Sequence, residues 1–160
     1  MKYLTMIVIG LLLAASVAAT GVIIRAQTKE AGLNDVAYYA YHDGNSDAAE
    51  RLYRMALAEN PSYELARYNL ATLLFQEGRF TEAATELETL ISLDPGKAAY
   101  HYDLAVNLVE EMRQHSAGLD QFDRAIAEYE TANRLSPGFE HVNENLAVLY
   151  KFRADAQASS

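Results

Sequence analysis

The stretch "DPGKAAYHYDLA", residues 94–105, has near-copies on both sides: "NPSYELARYNLA" at residues 60–71 and "SPGFEHVNENLA" at residues 136–147. Internal repetition is read before any single motif, because it decides the architecture. Pro61 and Pro95 lie 34 residues apart. Upstream of each proline a second pattern recurs. Ala49, Tyr53 and Ala56 precede Pro61; Ala83, Leu87 and Leu90 precede Pro95; Ala125, Tyr129 and Ala132 precede Pro137. The spacings are 4, 3 and 5 each time. Spacings of 3 and 4 put residues on one face of a helix. Alanine lets helices approach closely, and tyrosine and leucine fill the volume between them. Leu70-Ala71, Leu104-Ala105 and Leu146-Ala147 mark a second helix in each unit, with Val36-Ala37 in the same place of a first unit. Each unit is therefore two antiparallel helices, A and B. The fold class is all-α, and no strand is expected.

Two kinds of joint hold the units. Asn60, Asp94 and Ser136 read as N-caps of the helix that follows, with each proline at the first helical position, where its missing N–H costs nothing. Inside the units, Gly44 and Gly78 sit in short polar turns at residues 42–45 and 76–79. Glycine there supplies a left-handed backbone at little cost.

These residues resemble the tetratricopeptide repeat family, whose unit is about 34 residues long. The family's small residues at the eighth and twentieth places match Ala37, Ala71, Ala105 and Ala147, and Ala49, Ala83 and Ala125. There is no tryptophan, so the family's fourth place holds Leu33, Arg67, His101 and Asn143, and Leu90 replaces a small residue in the second unit. The resemblance implies a right-handed α-solenoid. Its repeats would cover residues 30–63, 64–97 and 98–139, with a capping helix at 140–154, in a repeat domain of residues 30–156. A stack needs such a cap with a polar outer side. The tail from Gln157 on is expected to fray.

The third unit is eight residues longer, around 111–118. Eight residues make about two helical turns. One turn added to each helix would lengthen the hairpin without breaking its pairing, with Met112, Leu119 and Phe122 packed inside. The insertion reads either as a tolerated lengthening or as a knob that touches a partner.

In the resembled family the A helices line a concave groove. Carried over place by place, the groove candidates are Asp35, Tyr38, Tyr41, Tyr68, Asn69, Phe75, Tyr102 and Asp103. Aromatics there supply apolar contact area, and carboxylates select for positive groups. The implied ligand is a peptide or protein segment with apolar anchors and a neutral to basic character. Tyr68 and Tyr102 also read as packing between neighbouring repeats. Chaperone-binding members hold a peptide's terminal carboxylate with lysines, an arginine and asparagines. The matching places hold Asn34, Tyr38, Asn69, Ala99 and Asp103, of which only Asn69 agrees, so that clamp is not expected.

The remaining chemistry is sparse. The 160-residue chain has no cysteine and a formal net charge of −9. Lys2 is the one charged side chain in residues 1–24, so 12 basic and 22 acidic residues follow it, a net of −10. Such a surface repels nucleic acid. His42, His101, His115 and His141 include no i, i+4 pair of the zinc-binding kind and read as surface or turn residues. The pairs Glu110-Glu111 and Glu128/Glu130 read as solvated helix faces, since such neighbours do not face each other. No catalytic, cofactor or metal site is expected. Residues 4–24 are 21 residues without a charge. At about 1.5 Å per residue a helix of that length spans a bilayer core. Residues 1–29 thus read as a single-pass membrane anchor and linker. The other reading is a signal peptide cut near residues 17–19, which would release an adaptor. Both place the repeats on the extracytoplasmic side. A third reading, a subunit self-assembling through its repeat ends, also fits a stack.

Overall fold

The computed structural model describes residues 28–114, 118–139 and 141–158. The apolar segment of residues 4–24, and with it the anchor and signal-peptide readings, lies outside the described residues. Among them, seven helices follow one another: α1 (Lys29–His42), α2 (Ser46–Glu59), α3 (Glu64–Gln76), α4 (Phe80–Leu93), α5 (Ala98–Gln114), α6 (Leu119–Leu135) and α7 (Val142–Ala158). They pair as α1–α2, α3–α4 and α5–α6. Each pair packs on the next through α2–α3, α4–α5 and α6–α7. None of the described helices is long and apolar enough to cross a membrane.

The repeating alanines are the points of closest approach. Ala37, Ala49, Ala56, Ala66, Ala83, Ala105, Ala125 and Ala132 are all completely buried. Tyr53, Leu70, Leu73, Leu74, Leu90 and Leu104 fill the space between them. Burial pushes the Tyr53 hydroxyl up to about 12. At the turns inside hairpins, Gly44 and Gly78 have φ of +80° and +74°. Asn45 N donates to Ala40 O at 2.9 Å and Arg79 N to Leu74 O at 2.9 Å, which satisfies the last carbonyls of α1 and α3.

The joints between hairpins differ from expectation. Asn60, Asp94 and Ser136 close the preceding B helix, and their N–H groups bond the carbonyls of Ala56, Leu90 and Ala132. The prolines lie in the connecting turns, not in the next helices. Tyr63 N donates to Asn60 O at 3.1 Å, Lys97 N to Asp94 O at 3.4 Å and Phe139 N to Ser136 O at 3.0 Å. Each joint is thus a β-turn with proline at its second position, where the fixed φ fits. Asp94 Oδ1 accepts from Gly96 N at 3.1 Å, and Asn60 Oδ1 from Ser62 N at 3.1 Å. The short polar side chains brace the turn rather than cap a helix.

The fourth place carries a polar staple. Arg67 Nη2 donates to Pro61 O at 2.6 Å, and Nη1 bonds Glu86. One repeat on, His101 Nε2 lies 3.1 Å from Pro95 O and Nδ1 lies 2.7 Å from Glu128 Oε2. His101 is therefore buried and Glu128 is paired with it, so neither is the solvated surface group their sequence context suggests. Each staple ties the proline turn to the B helix of its own hairpin.

The insertion is shared between two helices. α5 and α6 have 17 residues each, against 13 and 14 in α3 and α4. Met112 is buried in the lengthened hairpin, and Phe122 is partly buried against the core. The last helix continues to Ala158, beyond the point where fraying was expected.

Candidate protein-binding groove

The A helices α1, α3, α5 and α7 present their fifth, sixth, ninth and twelfth places along one side of the stack. Asn69 Nδ2 donates to Asn34 Oδ1 at 2.9 Å, and Tyr68 OH donates to Asp103 Oδ2 at 2.9 Å, each across 35 residues of chain. Asn145 Nδ2 approaches Tyr102 OH at 3.5 Å across 43 residues, the same step plus the insertion, and donates to Tyr129 OH at 3.2 Å. A fifth-place side chain thus meets a sixth-place side chain one repeat on, three times over. Tyr102 also stands edge-on to Tyr129 and Phe139 at 5.5 Å from each. Burial raises the Tyr129 hydroxyl far above its ordinary value.

This ladder sorts the candidates. Tyr68, Asn69, Tyr102 and Asp103 are partly buried and joined to neighbouring repeats through it. Tyr41 is half-buried, its hydroxyl bonded to Gln76 Oε1 in the next A helix. Phe75 is half-buried, edge-on to Phe80 at 5.4 Å. Tyr38 is 48% exposed and stands edge-on to His42 at 4.2 Å. Asp35 is exposed at the start of the row, beside Asn34.

Two apolar cavities open between successive A helices. One, of about 280 Å³, lies between α3 and α5 and is lined by Tyr68, Thr72, Phe75, Leu87, Asp103 and Val106. The other, of about 330 Å³, lies between α5, α6 and α7 and is lined by Val109, Met112, Phe122, Val148, Leu149 and Phe152. Three of the eight candidates (Tyr68, Phe75 and Asp103) line the first cavity, while Asp35, Tyr38 and Tyr41 lie at the α1 end. The second cavity takes Asn145, Val148 and Val109 from the sixth, ninth and twelfth places, and Met112 and Phe122 from the lengthened α5 and α6. Phe152 is 55% exposed and lies at none of those places. Apolar concavities with a few polar groups are the usual form of a binding site. Among the described residues no group of three or more His, Asp or Glu could hold a metal.

A family model for the tetratricopeptide repeat matches residues 40–106. Residues 40–106 are tetratricopeptide repeats. No curated protein matches it. Among solved structures it is similar to a mutant O-GlcNAc transferase of Thermobaculum terrenum, with 29% identity and a TM-score of 0.57 over 76% of this chain. It spans only 23% of that transferase. It is also similar to the first TPR of Spaghetti (RPAP3) bound to HSP90 peptide SRMEEVD, with 17% identity and a TM-score of 0.67 over 79% of this chain and 94% of that one. A thermophilic TPR protein of Thermus thermophilus has 23% identity and a TM-score of 0.63, over 81% of this chain and 68% of that one. At these identities the last two show the fold alone. Stacked repeats of this kind curve, which creates an extended concave surface.

Proposed function

We propose that this protein is a non-enzymatic scaffold or assembly factor, held at a membrane by residues 4–24, whose concave side takes a peptide or protein segment. The observation that carries the reading is the pair of apolar cavities one repeat apart on the A-helix side. Two cavities in register accept two apolar side chains of a single ligand segment. The net charge of −10 over residues 25–160 favours a segment of neutral to basic character. Tethering would raise the effective concentration for a partner in the same membrane.

The clamp of chaperone-binding relatives does not transfer. At the five clamp places this chain has Asn34, Tyr38, Asn69, Ala99 and Asp103, none of them a cation, and the Asp103 carboxylate opposes a terminal carboxylate. The peptide SRMEEVD, bound by the Spaghetti repeat, should not be retained.

Photocrosslinking in native membranes tests the proposal. Benzoylphenylalanine placed at Phe75 or Val148 should capture a partner, and the same group at the exposed Thr85 of α4 should not. Tyr38→Ala with Tyr41→Ala should weaken capture by on the order of 1–3 kcal/mol in total. Equal capture from all three positions, or capture from Thr85 alone, would overturn the groove.

A further inference from the structure

Among the described residues the stack begins on an open face. Gly32, Val36 and Tyr39 of α1 stand where Ala66, Leu70 and Leu73 stand in α3, Tyr100, Leu104 and Asn107 in α5, and Val142, Leu146 and Leu149 in α7. Those nine residues are all buried, because each later A helix packs on the hairpin before it. Among the described residues α1 has no hairpin before it. Val36 is 57% exposed and Tyr39 is 69% exposed.

The sequence supplies what lies next to that face. The uncharged run of residues 4–24 ends four residues before α1. Four residues reach at most about 14 Å. The connectors at residues 60–63 and 94–97 are also four long, and each sets the end of one helix beside the start of the next. The start of α1 is thereby held close to the end of the apolar run. If that run packed on α1 as a preceding B helix, Ile7, Ile9, Leu11, Leu12 and Leu13 would still leave much of its circumference apolar and in water. A helix apolar all round is one buried on every side, in the core of a large protein or in a membrane, and one face of α1 cannot supply the first. Tyrosine is enriched at the headgroup level, and an aliphatic residue beside it suits the same depth.

We propose that the Val36–Tyr39 face of α1 rests in the interfacial layer of the bilayer that residues 4–24 enter. This rests on the membrane reading above and adds an orientation to it: the stack stands on its first helix, with the end bearing α7 farthest from the lipid.

The chain contains no tryptophan, so a single substitution makes a unique reporter. The full chain is reconstituted in phosphatidylcholine nanodiscs, whose neutral headgroups do not repel an acidic protein. Half of the samples carry lipid brominated high on the acyl chains. Tyr39→Trp should lose most of its emission to bromine, and Phe152→Trp, in the last helix, should keep it. Far-ultraviolet dichroism confirms that both variants fold. Unquenched Tyr39→Trp emission at a water-exposed wavelength overturns the proposal. Unquenched but blue-shifted emission also overturns it and shows the face covered by protein, either residues 4–24 or a second copy. Flotation of the full chain with vesicles is read separately. Its failure overturns the membrane reading itself, whereas flotation without quenching overturns only the docking of α1.

Discussion

Arg67 and His101 share the place where the repeat pattern expects tryptophan, and both reach the carbonyl of the proline six residues before them. Alignment shows that the two residues correspond. It does not show that Glu86 and Glu128, on the following B helices, turn inward to meet them, because a glutamate on an amphipathic helix reads as solvated. His101→Ala should therefore destabilise the chain by about 1–3 kcal/mol in urea unfolding, since it leaves a carbonyl and a carboxylate unpartnered. His101→Arg should recover most of that loss by copying Arg67, and equal destabilisation by both variants would show that packing alone matters. Asn107 carries the opposite lesson. It is fully buried at the place of Leu73 and Leu149, and among the described residues neither its Nδ2 nor its Oδ1 has a hydrogen-bond partner. An amide without a partner in an apolar contact is costly. Asn107→Leu should stabilise the protein by about 1–3 kcal/mol, read as a higher urea midpoint at unchanged slope. The correspondence with Leu73 is legible in the sequence, but the missing partner is visible only once the neighbours are placed.

At the scale of helices and turns, the position of each hairpin follows from the alanine spacing, but the role of each joint does not. A short polar residue followed by proline suits both an N-cap and the opening of a β-turn. What separates them is the connector: α3 and α5 begin four residues after Asn60 and Asp94, so a turn must come first. The glycine turns were less ambiguous, because a tight reversal between antiparallel helices requires one left-handed residue. Gly78 has φ of +74°, and a Cβ there would meet only Gln114 Nε2 at an ordinary 3.6 Å. Gly78→Ala should thus be resisted by backbone conformation rather than by crowding. The expected loss is about 1–2 kcal/mol, measured by thermal unfolding. A neutral result would mean that the turn relaxes to another conformation. The insertion splits between α5 and α6 for a related reason: eight residues are close to two turns, so each helix gains one and the faces stay in register. The cavity this leaves against α7 is lined by Phe122 and Phe152, a juxtaposition that no spacing rule encodes.

At the scale of the whole molecule, each hairpin among the described residues packs on its neighbours, so the stack is as strong as its junctions. The outer side of the first junction is electrostatic. Arg79, in the turn of the second hairpin, donates to Glu50 Oε2 of the first hairpin at 2.9 Å, to Glu77 at 3.0 Å and to Glu82 at 2.7 Å. The Arg79 hydrogen bond holds Glu50 below the ordinary carboxylate value of 4.5, with Arg54 adding to the effect, and the same guanidinium lowers Glu82. A carboxyl group whose folded value lies below its unfolded one stabilises the fold fully above the unfolded value. That stability is lost as pH falls through the depressed folded value. Arg79→Met removes the main partner of both carboxylates, leaving them Arg54, and keeps an apolar stem of similar reach. The variant should be clearly less stable than the parent at neutral pH, and the gap should narrow as pH drops below 4.5, because the parent gives up the same interaction by protonation. Unfolding midpoints of both proteins from pH 7 to about pH 3 measure this, at constant ionic strength because exposed pairs are screened by salt. A gap that stays constant over that range would mean that Arg79 acts through the packing of its stem rather than through its charge.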